Sequence, residues 1–135
     1  MIPIEWDEKF SLNVKEIDDQ HKNLFLLFNK LQNGMKSEKS NEDLEKALSD
    51  LIDYTILHFT TEEKLMQKFS YIGFVEHKRA HDNLIAEAKK LQEKFAQGRI
   101  VLSEEVSVFL TDWLTGHILD TDKKYAPLFK SKGVS

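Results

Sequence analysis

A chain of 135 residues with a formal charge of −4 and no cysteine is large enough to bury a core of its own, and it excludes several chemistries at once. Disulfides, iron–sulfur clusters, thiolate zinc sites and cysteine nucleophiles are absent, so any metal must be held by His, Asp and Glu. Lys and Arg are scattered among the acids and leave no basic stripe for nucleic acid. The longest apolar run, Leu24 to Phe28, cannot span a bilayer, and the opening residues carry neither a basic leader nor an apolar stretch, so a cytoplasmic protein without membrane insertion is expected.

In chain order, residues 1 to about 17 lack a helical period but carry Ile4, Trp6, Phe10, Leu12, Val14 and Ile17, which predicts an ordered arm laid against the rest. Asp18 or Asp19 can cap a first helix running to about residue 36, with His21, Leu24, Phe28, Leu31 and Met35 on one face. Ser40 can cap a second, in which Leu44, Leu48, Leu51, Thr55, His58, Glu62 and Leu65 follow alternating steps of four and three. The third repeats the pattern as Phe74, His77, His81, Leu84, Ala88, Leu91 and Phe95, and Gly98 suits its stop. Ser103, Glu104 and Glu105 suit the start of a fourth, with Val106, Leu110, Trp113 and His117 inward. The tail from Lys123 carries a short extra turn around Tyr125, Leu128 and Phe129. Only Pro3 and Pro127 are present, so nothing interrupts these helices. The reading is all-α: an up-down-up-down four-helix bundle and a single domain over 1–135, with the arm at about 1–17, the bundle at about 18–122 and a short C-terminal tail.

All five histidines fall on an inward stripe, an outcome with a chance probability on the order of one in a hundred if a stripe takes three positions in seven. One isolated histidine there is usually a hydrogen-bonded core residue. Five are another matter, because each buried imidazole without a partner costs roughly 1 to 3 kcal/mol. Metal resolves the difficulty. His58 and Glu62 are four apart, as are His77 and His81, which stacks each pair on one face as a two-pronged ligand. In the fourth helix periodicity favours Asp120, about 60° from His117, over Asp122, roughly 140° away.

The ordered set His21, His58-Phe-Thr-Thr-Glu62, His77-Lys-Arg-Ala-His81 and His117-Ile-Leu-Asp-Thr-Asp122 resembles the signature of the bacterial hemerythrins. The likeness extends to Ile4-Glu-Trp6, Ile17-Asp-Asp-Gln-His21, Trp113-Leu-Thr-Gly-His-Ile118 and Tyr125, and so covers nearly the whole chain. Myohemerythrin is itself a standard instance of the up-down-up-down bundle, so that topology is implied by the resemblance as well as by the loops. The resemblance implies two non-haem iron ions: His77, His81 and His117 bind one, and His21 and His58 the other. Glu62, Asp122 and an oxo or hydroxo group bridge the pair. It thus selects Asp122 over Asp120, which requires an irregular helix after His117, such as a π-like bulge beside Gly116.

Five imidazoles, two bridging carboxylates and a shared hydroxide leave one position of two octahedral irons open, on the two-histidine metal. There, the resemblance implies, dioxygen binds reversibly and end-on. Neutral imidazoles stabilise ferrous iron better than the carboxylate-rich sites of ferritin-like proteins do. Phe59, Trp113, Leu114 and Ile118 are candidates to wall the oxygen pocket, with ordinary core packing as the competing reading of each. Met35 and Met66 read as core filler. Glu63 is expected to face solvent, and Tyr125 either bonds near the site or packs the tail. The function implied is non-enzymatic oxygen storage, delivery or scavenging, with an oxygen-consuming protein as recipient. Oxygen or redox sensing with a separate partner, and nitric oxide or peroxide reduction at the same site, are the alternatives.

Overall fold

The computed structural model describes residues 5–37, 40–98, 104–117 and 122–133. Its four main helices, α1 (Lys15–Lys36), α2 (Asn41–Lys68), α3 (Phe74–Ala96) and α4 (Glu104–Gly116), pack as a bundle and are followed by a short α5 (Ala126–Ser131). Single 3-10 turns occupy Glu8–Phe10 and Asp122–Lys124. Helix α1 packs along α2 and α2 along α3, as short connections require of antiparallel neighbours. No described helix is long and apolar enough to cross a membrane.

The helix ends follow local chemistry. Ser40 is extended and its hydroxyl accepts from the Asp43 N–H at 3.2 Å, so it caps α2 as expected. After α3, Gly98 turns the chain at φ +70°, a conformation that other residues rarely adopt. Ser103 lies outside the described residues. Helix α1 departs from expectation: it begins at Lys15, with Val14 at the cap position and no capping side chain. Asp18 sits one turn inside and reaches back to the arm instead, accepting from the Leu12 N–H at 2.8 Å and the Ser11 hydroxyl at 2.6 Å. A carboxylate in the first turn still favours the helix dipole, so one residue both stabilises the start and fastens the arm.

That arm is ordered. The Trp6 ring lies 5.9 Å from both Phe10 and Phe25, Phe10 meets Phe25 edge-on at 5.0 Å, and Lys22 Nζ stands 5.1 Å over Trp6. Ile4 lies outside the described residues.

Along the bundle the interior has three tiers. One is hydrocarbon, built around Phe28, Leu31, Leu48, Leu51, Phe95 and Leu110. At the opposite end Leu12, Val14, Ile17, Met66, Tyr125 and Phe129 form a second cluster. Thus Met66 is core, Met35 packs half-buried against the first cluster, and α5 closes the second. On α1 and α2 the tier between them carries His21, Thr55, His58 and Glu62, all at most 1% exposed.

Candidate metal centre

The ligand candidates reach the middle tier from several elements. His21 comes from α1, His58 and Glu62 from α2, and His77 and His81 from α3, the four-residue spacings stacking the last two pairs on one face. His117 directly follows α4 in a π-helical turn, and Asp122 opens the 3-10 turn beyond it. The regular period of α4 therefore ends where Asp122 has to be brought inward. A Cβ on Gly116 would meet nothing within 4 Å, so space does not demand a glycine there. Asp122 is fully buried in the cluster; Asp120 lies outside the described residues.

These seven side chains form two groups, His77, His81, His117 and Asp122 on one side and His21, His58, Glu62 and Asp122 on the other. Within each group the ligand atoms lie inside 4.8 Å of one another, and Asp122 belongs to both. Its Oδ1 is 2.9 Å from His77 Nε2 and from His117 Nε2, and its Oδ2 is 3.1 Å from His21 Nε2. Glu62 Oε1 is 2.6 Å from His58 Nε2, and the carboxylate approaches His77 to 4.0 Å and His81 to 3.9 Å.

The outer faces of two rings fix their inner ones. Thr61 gives its hydroxyl proton to the Leu57 carbonyl, so its oxygen accepts from Gln20 Nε2 at 3.3 Å, leaving Gln20 Oε1 to accept from His58 Nδ1 at 2.7 Å. A carboxylate can only accept, so His81 Nδ1 donates to Glu63 Oε2 at 3.0 Å. In the neutral form of each ring, the form that binds a metal, Nε2 is then the unprotonated lone pair and is aimed inward. It faces carboxylate oxygens, and His81 Nε2 also faces His117 Nε2 at 3.1 Å. Lone pairs aimed at one another repel unless a proton or a metal cation stands between them. Consistently, His21 Nε2, His58 Nε2, His77 Nε2, Glu62 Oε1 and both Asp122 oxygens are buried without a hydrogen-bond partner, a cost that a metal removes. Imidazole and carboxylate without thiolate suit a first-row divalent metal, and the residues fit the group expected of them.

Electrostatics point the same way. Burial, reinforced by the neighbouring His117 and His77 rings, pushes His81 down to about 2, so it stays the neutral ligand form. Burial would raise Asp122, but His117, with His21 and His77 around it, holds its carboxyl well below the usual range. Burial lowers His117, and the Asp122 carboxylate more than reverses this. Burial, with the Glu62 and Asp122 charges nearby, pushes the Tyr125 phenol well above its ordinary value. Tyr125 therefore keeps its proton and donates it to Glu62 Oε2 at 2.5 Å, bonding at the site and packing the tail at once.

Beside the two-histidine half lies a small cavity of about 10 Å³, lined by His21, Leu24, Thr55, His58, Phe59, Trp113, Leu114 and His117. It has room for about one water-sized molecule. Phe59 also stacks flat on His81, with ring centres 3.7 Å apart. Ile118 lies outside the described residues. Three partners escaped the sequence reading or were left open by it. Glu63 was expected in solvent but is half-buried against His81, and burial raises its carboxyl despite Lys78. Gln20 carried no expectation, and Tyr125 was undecided. Each is a long polar side chain near an inward stripe, the only signal that would have marked it.

The family described as the Hemerythrin HHE cation binding domain matches residues 12–129. The chain is 40% identical over 119 residues to a Bacteriohemerythrin of Methylococcus capsulatus (strain Bath), covering 88% of this chain and 90% of that one. It is 32% identical over 123 residues to a Hemerythrin-like protein of Naegleria gruberi, covering 91% of each. A crystal structure of wild-type hemerythrin superposes with a TM-score of 0.88 at 38% identity, covering 94% of this chain and 98% of that one. With its helical bundle and its two buried His/carboxylate groups sharing Asp122, this chain belongs to the hemerythrin family.

Proposed function

We propose that this chain, acting as one hemerythrin-like domain in the cytoplasm, binds dioxygen reversibly at a non-haem di-iron centre. Its role is oxygen storage, delivery or scavenging, with no covalent turnover of a substrate. His77, His81 and His117 would hold one iron and His21 and His58 the other, with the Glu62 and Asp122 carboxylates shared between them. The observation that carries this reading is an asymmetry. One half of the cluster has three imidazoles, of which His117 alone lines a small apolar cavity, while the other has two, His21 and His58, and both line it.

A ferrous pair supplies two electrons that dioxygen can borrow and return. The chain's residues make the loan reversible. Neutral rings such as His81 present lone pairs and no protons toward the metals. Leu114 and Phe59, 3% and 4% exposed, keep the two-histidine side dry, which excludes the water and protons that would make oxidation permanent. Tyr125 holds its proton on the Glu62 oxygen remote from His58 and fixes the orientation of that carboxylate.

The test is an optical cycle. Iron-reconstituted, anaerobically reduced protein should hold two irons per chain, gain a visible charge-transfer band with dioxygen, and lose it again on deoxygenation. One iron per chain, or a band that fails to reverse while dioxygen is consumed, overturns the proposal and favours a reductase.

A further inference from the structure

The two halves of the centre differ in what stands behind them as well as in imidazole count. His58 gives its outer N–H to Gln20, a neutral amide tied to Thr61. His81 gives its outer N–H to Glu63, a carboxylate. Glu63 lies on the floor of an open groove of about 500 Å³ between α2 and α3, lined also by Ile56, Thr60, Lys78, Ile85 and Lys89. Its side chain is only 20% exposed, so solvent screens it incompletely.

Lys78 neutralises it only in part. The Lys78 ammonium is 3.9 Å from Glu63 but 3.0 and 3.1 Å from the two Asp82 oxygens, and it is committed to Asp82. Glu63 Oε2, the oxygen remote from Lys78, therefore remains a charged acceptor for His81. Hydrogen bonds to ionised acceptors are about twice as strong as neutral ones, and a carboxylate behind a ligating imidazole raises its basicity and fixes its ring.

We propose that Glu63 is a positioning residue that makes His81 a stronger donor than His58, so that the outer acceptors, one charged and one neutral, set the two metals apart. This inference rests on the two-metal reading above. The half with three imidazoles takes a divalent ion more tightly, and the charge behind His81 shifts that metal toward its higher oxidation state. The half with two imidazoles has only a neutral acceptor behind His58 and lacks that shift.

The experiment uses the full chain, cobalt(II) and zinc, and no oxygen chemistry. Chelator-competition titrations of the parent should resolve two sites of unequal affinity. Glu63→Ala should weaken the tighter one by about 10- to 100-fold and leave the other within about twofold. Glu63→Gln restores the acceptor without the charge and should recover part of the loss. Gln20→Glu should tighten the weaker site. In zinc-loaded protein the His81 Nδ1–H proton resonance should be far downfield in the parent, less so in Glu63→Gln and missing in Glu63→Ala. In the iron-loaded chain the potential of the tighter site should rise in Glu63→Gln while its metal content stays constant. A parent that binds fewer than two ions sinks the two-metal reading itself. A parent that binds two, with Glu63→Gln and Glu63→Ala unchanged in affinities and resonance, overturns the role of Glu63 alone.

Discussion

The first half of α2 buries Leu44, Leu48, Leu51 and Ile52, whereas the second buries Thr55, His58, Phe59, Glu62 and Met66. Both halves follow one helical stripe, yet they are held together differently. The hydrocarbon half needs no outside component, because burying each leucine is worth roughly 1.5 to 3 kcal/mol. The polar half calls for a cation, since His58 Nε2 and Glu62 Oε1 otherwise remain buried and without a hydrogen-bond partner. The same periodicity thus specifies position in both halves and chemistry in neither.

Several substitutions would break or sharpen that contrast. The largest effect belongs to Asp122→Asn, which removes the carboxylate common to both groups. Stable two-metal binding should be abolished, read as metal per chain by elemental analysis, while circular dichroism shows the helices intact. Leu48→Ala and Leu114→Ala should each lose about 2 to 5 kcal/mol in urea unfolding, since both leucines are at most 3% exposed. Only Leu114→Ala, which opens the cavity beside His21 and His58, should also shorten the oxygenated lifetime and speed azide binding at equal iron content. Equal lifetimes in the two variants would mean that this cavity is not the oxygen pocket.

Tyr125→Phe deletes a bond to a charged acceptor and should lower stability by about 1.5 to 3 kcal/mol. Its metal content should be retained, because Tyr125 stands behind Glu62. Ser40→Ala is the smallest change, about 1 kcal/mol from a lost cap, with no effect on metal binding or spectra.

How far the sequence could be read follows the same divide. Helices, arm and inward stripes were legible because burial follows a period that local spacing exposes, and the caps at Ser40 and Gly98 lie where side-chain chemistry puts them. Asp18 misled, because an acid near a helix start can cap or can bond the preceding arm, and only the path of residues 11–12 decides. Periodicity alone points to Asp120, which lies outside the described residues, and it does not register that the regular helix ends at Gly116, beyond which Asp122 joins both groups. The acceptors behind the ligands were the least legible. Glu63 and Gln20 adjoin Glu62 and His21 in sequence yet serve His81 and His58 on other helices, a relation created by packing and by no spacing within a helix.

The grouped ligands span residues 21 to 122, and no single helix supplies more than two of them. No contiguous fragment therefore carries the site, and an unfolded chain has little with which to compete for metal. Metal binding and folding become one equilibrium, in which free ion at a hundred times its Kd adds about 2.7 kcal/mol to the stability of the native state. Such a chain is governed by supply. In a metal-poor cell more of it would stand unfolded and exposed to proteolysis, so metal availability would influence its abundance without any dedicated regulator.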